Sequence, residues 1–139
     1  MPVNVRSKVL ESDKITVRML LNHTSGIPEW LSPTVIEEIV SNPGKVWDVT
    51  EFLDLSARQS RGFAPGSGIA CSNTYYNLLG EIIASATGRS WRDEVTKCLI
   101  EPFHLDNTLL PEPGDATIPG DHAHGYGGSA AAIVDPYCG

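Results

Sequence analysis

The sequence predicts a mainly α chain, and three observations carry that expectation. One long segment has apolar residues at helical spacing, a series of cap residues opens and closes shorter helices, and the tail loses that periodicity to proline and glycine. The long segment is Asn73 to Thr87, where Tyr75, Leu78, Leu79, Ile82, Ile83 and Ala86 recur three and four residues apart and Gly88 follows. A stripe of that width is normally buried against neighbouring elements, so this helix is expected to form the core.

Thr16 precedes the apolar series Val17, Met19, Leu20 and Leu21, and Gly26 follows, which reads as a short helix with an N-cap and a glycine stop. Ser32-Pro33 supplies a cap and a first-turn proline for a helix through Val40, ended by Asn42-Pro43-Gly44. Asp48 and Glu51 have capping-box spacing at the start of a helix running to about Gln59. Phe63 to Ala70 is a proline/glycine-rich loop that leads into the long helix. Ser90 and Asp93 form a second capping-box pair, opening a helix with Trp91, Val95, Cys98 and Leu99 on one face and Pro102 as its stop. The expectation is therefore about five helices in a single unit over 1–139, with a helical core at 15–105 and a proline/glycine-rich loop tail at 106–139.

Composition narrows the function classes. The net charge of −7, from 10 basic and 17 acidic side chains, repels phosphate backbones and anionic lipid surfaces, so nucleic acid is not an expected partner. No apolar run reaches membrane-spanning length and Met1 to Lys14 contains no apolar signal core, so neither a membrane span nor a signal peptide is expected in this sequence. Cys71, Cys98 and Cys138 are too few and too scattered for a disulfide framework or a paired-cysteine metal site. His122 and His124, with Asp121 beside them, have the alternation that in a strand would aim two imidazoles at a metal, but two ligands do not make a site. No cofactor and no metal are expected.

Three stretches together carry a family resemblance. Ile15-Thr16-Val17-Arg18-Met19-Leu20-Leu21-Asn22-His23-Thr24-Ser25-Gly26 is similar to a helix and turn of the form ITxRxLLxHTSG. Phe63-Ala64-Pro65-Gly66, followed after four residues by Cys71-Ser72-Asn73-Thr74 and then Tyr76, Leu78, Leu79, Gly80, Ile83 and Thr87-Gly88, resembles a block of the form FxPGxxxxYSNxxYxLLGxIIxxxTG. Pro119-Gly120-Asp121-His122-Ala123-His124-Gly125-Tyr126 is similar to a loop of secreted DD-peptidases. The family they resemble is that of the penicillin-recognising serine hydrolases: class C β-lactamases, D-alanyl-D-alanine carboxypeptidases and related esterases.

The resemblance implies acyl transfer on D-alanyl peptides, β-lactams or esters, by a serine in an SxxK motif assisted by the tyrosine of a YxN motif. A KTG or HTG motif would orient the substrate. A nucleophile needs its base within hydrogen-bond reach, and SxxK puts both groups on one helix face. The residues three positions before Lys8, Lys14, Lys45 and Lys97 are Val5, Glu11, Asn42 and Glu94, so this sequence contains no SxxK; it contains no KTG or HTG either. The expectation is a helical subdomain of a β-lactamase/DD-peptidase-like fold without most of the α/β sheet layer, a partial domain inactive alone.

The YxN motif survives in part. Ser72 and Asn73 match, and the resemblance makes them substrate-binding positions, with Asn73 also at a catalytic one; alternatively they cap the long helix. Cys71 stands at the position of the tyrosine, and a thiol is too short to reach the same point. Next to a helix N-terminus it reads either as an activated thiolate, which would make a Cys71-dependent esterase, or as a small buried hydrophobe. His23 reads as a structural residue at a helix end. A non-catalytic binding or interaction module is the other alternative. In a full-length relative the expected partner is a small-molecule or peptidoglycan-like peptide substrate, and an uncovered apolar face would support a homo-oligomer. Such relatives are usually secreted or held at the cell envelope.

Overall fold

The computed structural model describes residues 1–115 and 117–121; the His122/His124 pair, most of the DD-peptidase-like loop and Cys138 lie outside the described residues. Among the described residues the regular structure is helical and contains no strand. Six α-helices follow in order: α1 (Val3–Arg6), α2 (Val17–Leu21), α3 (Pro33–Ser41), α4 (Val49–Ala57), α5 (Asn73–Thr87) and α6 (Trp91–Val95), the last running into a π-helical turn, Thr96–Ile100. The chain divides into two compact units, Met1–Leu31 with Trp47–Leu110, and Ser32–Val46 with Pro111–Gly139.

The first unit is built around α5. Tyr75 and Leu78 on its inner face are fully buried and join Val5, Val9, Leu20, Ile27 and Leu53 in one apolar cluster, with Met1, Ile15, Leu79 and Ile82 packed at its edge. Each such side chain contributes roughly 1.5–3 kcal/mol by leaving water. The apolar stripe is buried only over its first half, because Ala86 is exposed and Ile83 half-buried. The α5 helix ends as the sequence predicts, with Gly88 in the left-handed conformation at φ +72. Gly80 lets α6 approach: a Cβ there would lie 3.0 Å from Cδ1 of Trp91.

The capping residues read from sequence for α2, α4 and α6 hold, and Ser72 at the start of α5 makes no side-chain cap bond. Thr16 Oγ1 accepts from the Met19 amide at 3.2 Å, and complete capping boxes form at Asp48/Glu51 and Ser90/Asp93. Two expectations change. The α1 helix is not expected from the sequence, since one turn of four residues has no periodicity to detect; it nonetheless places Val5 and, just beyond it, Val9 in the core. Nor is Gly26 the stop of α2. The chain leaves α2 through His23, which is left-handed at φ +59, while the Thr24 amide bonds Met19 O at 2.8 Å and the His23 amide bonds Leu20 O at 3.4 Å. That is the double hydrogen bond of a Schellman ending, with histidine where glycine is usual.

In the second unit α3 begins as its sequence implies: the Val35 amide donates to Ser32 Oγ at 3.4 Å and Pro33 opens the first turn. Lys45 pairs with Glu38 at 2.8 Å.

Candidate functional site

The two motif stretches of the first unit, forty residues apart in sequence, are locked together by a row of hydrogen bonds. Ala64-Pro65-Gly66-Ser67 is a type II turn, with Gly66 at φ +81 and the Ser67 amide donating to Ala64 O at 3.0 Å. That turn aims the Gly66 amide at Thr24 O, 2.8 Å away, and the chain continues so that the Ala70 amide reaches His23 O at 3.1 Å. The Ser72 amide then donates to His23 Nδ1 at 3.4 Å, and the Thr74 hydroxyl to Pro28 O at 2.8 Å. Ser56 of α4 donates to the same Pro28 carbonyl at 2.6 Å. Gly26 sits where a Cβ would come within 2.2 Å of Phe63 O, so the two stretches meet backbone to backbone.

Glu29 completes the junction. One carboxylate oxygen accepts from both the backbone N–H and the Nδ2 of Asn73, the latter at 3.2 Å, and the other accepts from the Leu31 amide at 2.7 Å. A carboxylate thereby faces the positive end of the fifteen-residue helix α5. Ser72 occupies the N-cap position but makes no side-chain cap bond; its hydroxyl is buried without a hydrogen-bond partner. Ser72 therefore does not cap the helix as one reading of the sequence had it; the amide of Asn73 is bonded instead by Glu29, 44 residues away.

Cys71, Ser72 and Asn73 are brought to one edge, with Cys71 and Asn73 exposed and Ser72 buried between them. The exposure of Cys71 overturns its reading as a buried hydrophobe. The next turn of α5 lies beneath: the Tyr75 ring is buried 5.4 Å from the His23 ring, and Tyr76 lies 5.7 Å from it on the exposed side. Burial pushes the Tyr75 phenol above its ordinary range, opposed by the nearby Ser25 hydroxyl and Gly26 amide. Neither reaches the phenol with the alignment of a formed hydrogen bond. Among the described residues no group of three metal-binding side chains comes together and no helix is long and apolar enough to cross a membrane.

Glu29 is the residue that sequence reasoning missed. The signal for it was weak, since a single carboxylate three residues past the HTSG turn has no spacing that connects it to Asn73; only the fold brings the two together. His23 plays the structural part expected of it, through a strained backbone and an acceptor nitrogen.

A helical unit in which an HTSG turn is bonded to a PG loop and a YSN-like helix start defines a class, the serine hydrolases that recognise penicillin. The Beta-lactamase family profile matches residues 2–138, and the chain belongs to that family. Penicillin-binding protein 4* of Bacillus subtilis is 31% identical over 118 residues, covering 81% of this chain and 25% of its own length. The D-aminopeptidase of Cereibacter sphaeroides is 29% identical over 122 residues, covering 87% and 23%. Among solved structures, a D-stereospecific amidohydrolase from Streptomyces sp. superposes with a TM-score of 0.71 at 30% identity, over 79% of this chain and 34% of that one. The D-amino acid amidase of Ochrobactrum anthropi SV3 does so with a TM-score of 0.59 at 29% identity, over 74% and 29%. The chain thus spans about a quarter of the length of these curated relatives.

Proposed function

We propose that this chain is the helical subdomain of a serine acyl hydrolase, a partial domain that lacks most of the α/β sheet layer and contributes the Cys71–Asn73 edge to an acyl-binding site. The observation that carries the reading is the hydrogen-bonded junction between the His23–Glu29 loop and the start of α5. It holds Asn73 at the surface on a rigid helix end, where a substrate contact is best placed. The relatives support a substrate class, since three of them carry the names D-aminopeptidase, D-stereospecific amidohydrolase and D-amino acid amidase. A D-configured amide or peptide therefore fits better than the broader set of peptides, lactams and esters. Without an SxxK serine the chain is inactive alone.

The test is turnover of D-phenylalanine amide, D-alanine p-nitroanilide and p-nitrophenyl butyrate by the chain and by Cys71→Ala. The expected outcome is no hydrolysis above buffer with either protein. Turnover lost in Cys71→Ala would establish the cysteine-dependent esterase instead; turnover retained in that variant would overturn the inactive reading.

A second reading, an interaction module, has its own observation. Trp91, Leu99, Phe103, Leu105 and Leu109 of the first unit are all substantially exposed, Phe103 at 69%. Their exposure supports a reading in which this stretch is covered by a second copy of the chain.

A further inference from the structure

We propose that His23 and Ser72 form a proton-operated latch: the neutral imidazole holds the Ser72 amide, whereas the protonated one releases it and bonds the Ser72 hydroxyl instead. The Cys71–Asn73 edge then loosens in acid, whether or not that edge contacts a substrate. The Ser72 N–H donates to His23 Nδ1 at 3.4 Å, so that nitrogen carries no proton and the single proton of the neutral ring is on Nε2. Protonation puts a second N–H on Nδ1, and two donors facing each other do not bond.

The ring is held where it stands. Its backbone is fixed by the left-handed ending of α2 at φ +59 and by the Ala70 amide, which donates to His23 O at 3.1 Å. The Tyr75 and Tyr76 rings lie 5.4 and 5.7 Å away, a spacing at which an aromatic ring attracts a cation. Ser72 is therefore the partner that yields. Its hydroxyl is buried without a hydrogen-bond partner, in a residue only 4% exposed, and a hydroxyl oxygen accepts from the N–H that the amide opposes. Amide and hydroxyl belong to one residue, so the exchange of partners needs only a local shift. On either side, the Ala70 and Asn73 amides keep their own acceptors, His23 O and Glu29. The other titratable or charged groups on the elements around the ring are the Tyr75 and Tyr76 phenols, the Cys71 thiol, Arg18, Arg61 and Glu29. Of these only Glu29 also gains a proton in acid.

The experiment is nuclear magnetic resonance on the 15N-labelled chain between about pH 8 and pH 5.5, where an imidazole changes charge. The imidazole 15N signals report the tautomer, and amide hydrogen exchange, corrected for its intrinsic pH dependence, reports the bond. At the alkaline end the proton should be on Nε2. As His23 titrates, protection of the Ser72 amide should fall about fivefold, the value of one net hydrogen bond, while that of Ala70 stays constant. In His23→Asn, which tolerates the left-handed backbone and keeps an acceptor that does not titrate, Ser72 protection should be equal at both ends of the range. Glu29→Gln should keep the fall; its disappearance there would assign the response to the carboxylate and overturn the latch. A Ser72 amide indifferent to the titration of His23, or a proton on Nδ1 at the alkaline end, would overturn it as well. Ser72→Ala keeps the amide and removes the acceptor of the acid state, so its imidazole should protonate at lower pH than in the wild type. An unchanged midpoint would overturn the exchange of partners. Should His23→Asn fail to fold, the wild-type titration and Ser72→Ala still decide the outcome.

Discussion

Two residues under the site have opposite tolerances. Gly26 is left-handed at φ +71 and its missing Cβ is replaced in space by Phe63 O, a backbone atom that cannot give way alone. Gly26→Ala should therefore destabilise the chain by at least about 2 kcal/mol, from left-handed strain together with the clash; urea unfolding measures it. Tyr75 should be forgiving. Its hydroxyl is buried without a formed hydrogen bond, so Tyr75→Phe should change stability at neutral pH by less than about 1 kcal/mol. The pH dependence has a definite sign. A folded pKa raised above the unfolded value of about 10 gives stability that is complete below that value and is lost as pH rises through the folded one. Alkaline melting curves should show that loss in the wild type and show less of it in Tyr75→Phe. At this scale motif spacing singles out Asn73, Ser72 and Cys71, and the structure brings the three to one edge, with Ser72 buried between the other two. Glu29 was not legible, because its partnership with Asn73 is made only by tertiary folding, and neither was the left-handed turn at His23, where the residue type argues against the conformation it adopts.

At the scale of elements, the helices with chemical punctuation were the ones read correctly. Asp48 shows why. Its carboxylate accepts from the Thr50 hydroxyl and the Thr50 amide, which is at 2.8 Å, and those bonds, the hydroxyl first, hold it below the ordinary carboxylate range. Asp48→Ala should cost about 1 kcal/mol through loss of the α4 cap. Because the folded pKa is depressed, the contribution is present above the unfolded value of about 4 and is lost as pH falls through the folded one. Acid titration of stability should accordingly be shallower in the variant than in the wild type. The caps of α3, α5 and α6 were legible for the same reason, a side chain or glycine acting within one turn. The α1 helix was invisible, since its four residues form around core contacts of Val5 that no local pattern announces. The second half of the α5 stripe was read as core from periodicity alone, and Ala86 shows that periodicity marks a face meant for burial without saying whether a neighbour is present.

For the molecule as a whole, family membership stands beside the proposal that the chain is inactive alone. The exposed apolar residues around Leu99 and Phe103 predict concentration-dependent association, and the double variant Leu99→Ser/Phe103→Ser should raise the monomer fraction in sedimentation velocity without lowering helicity. An unchanged sedimentation profile would remove that surface from the account. The central proposal is that the chain carries one motif edge of a penicillin-recognising hydrolase without a serine that can be acylated. The most direct measurement is intact mass after prolonged incubation with excess benzylpenicillin, run on Cys71→Ala/Cys98→Ala/Cys138→Ala so that no thiol can react in its place. The account predicts the mass of the unmodified chain; a stoichiometric penicilloyl adduct on a serine would contradict it.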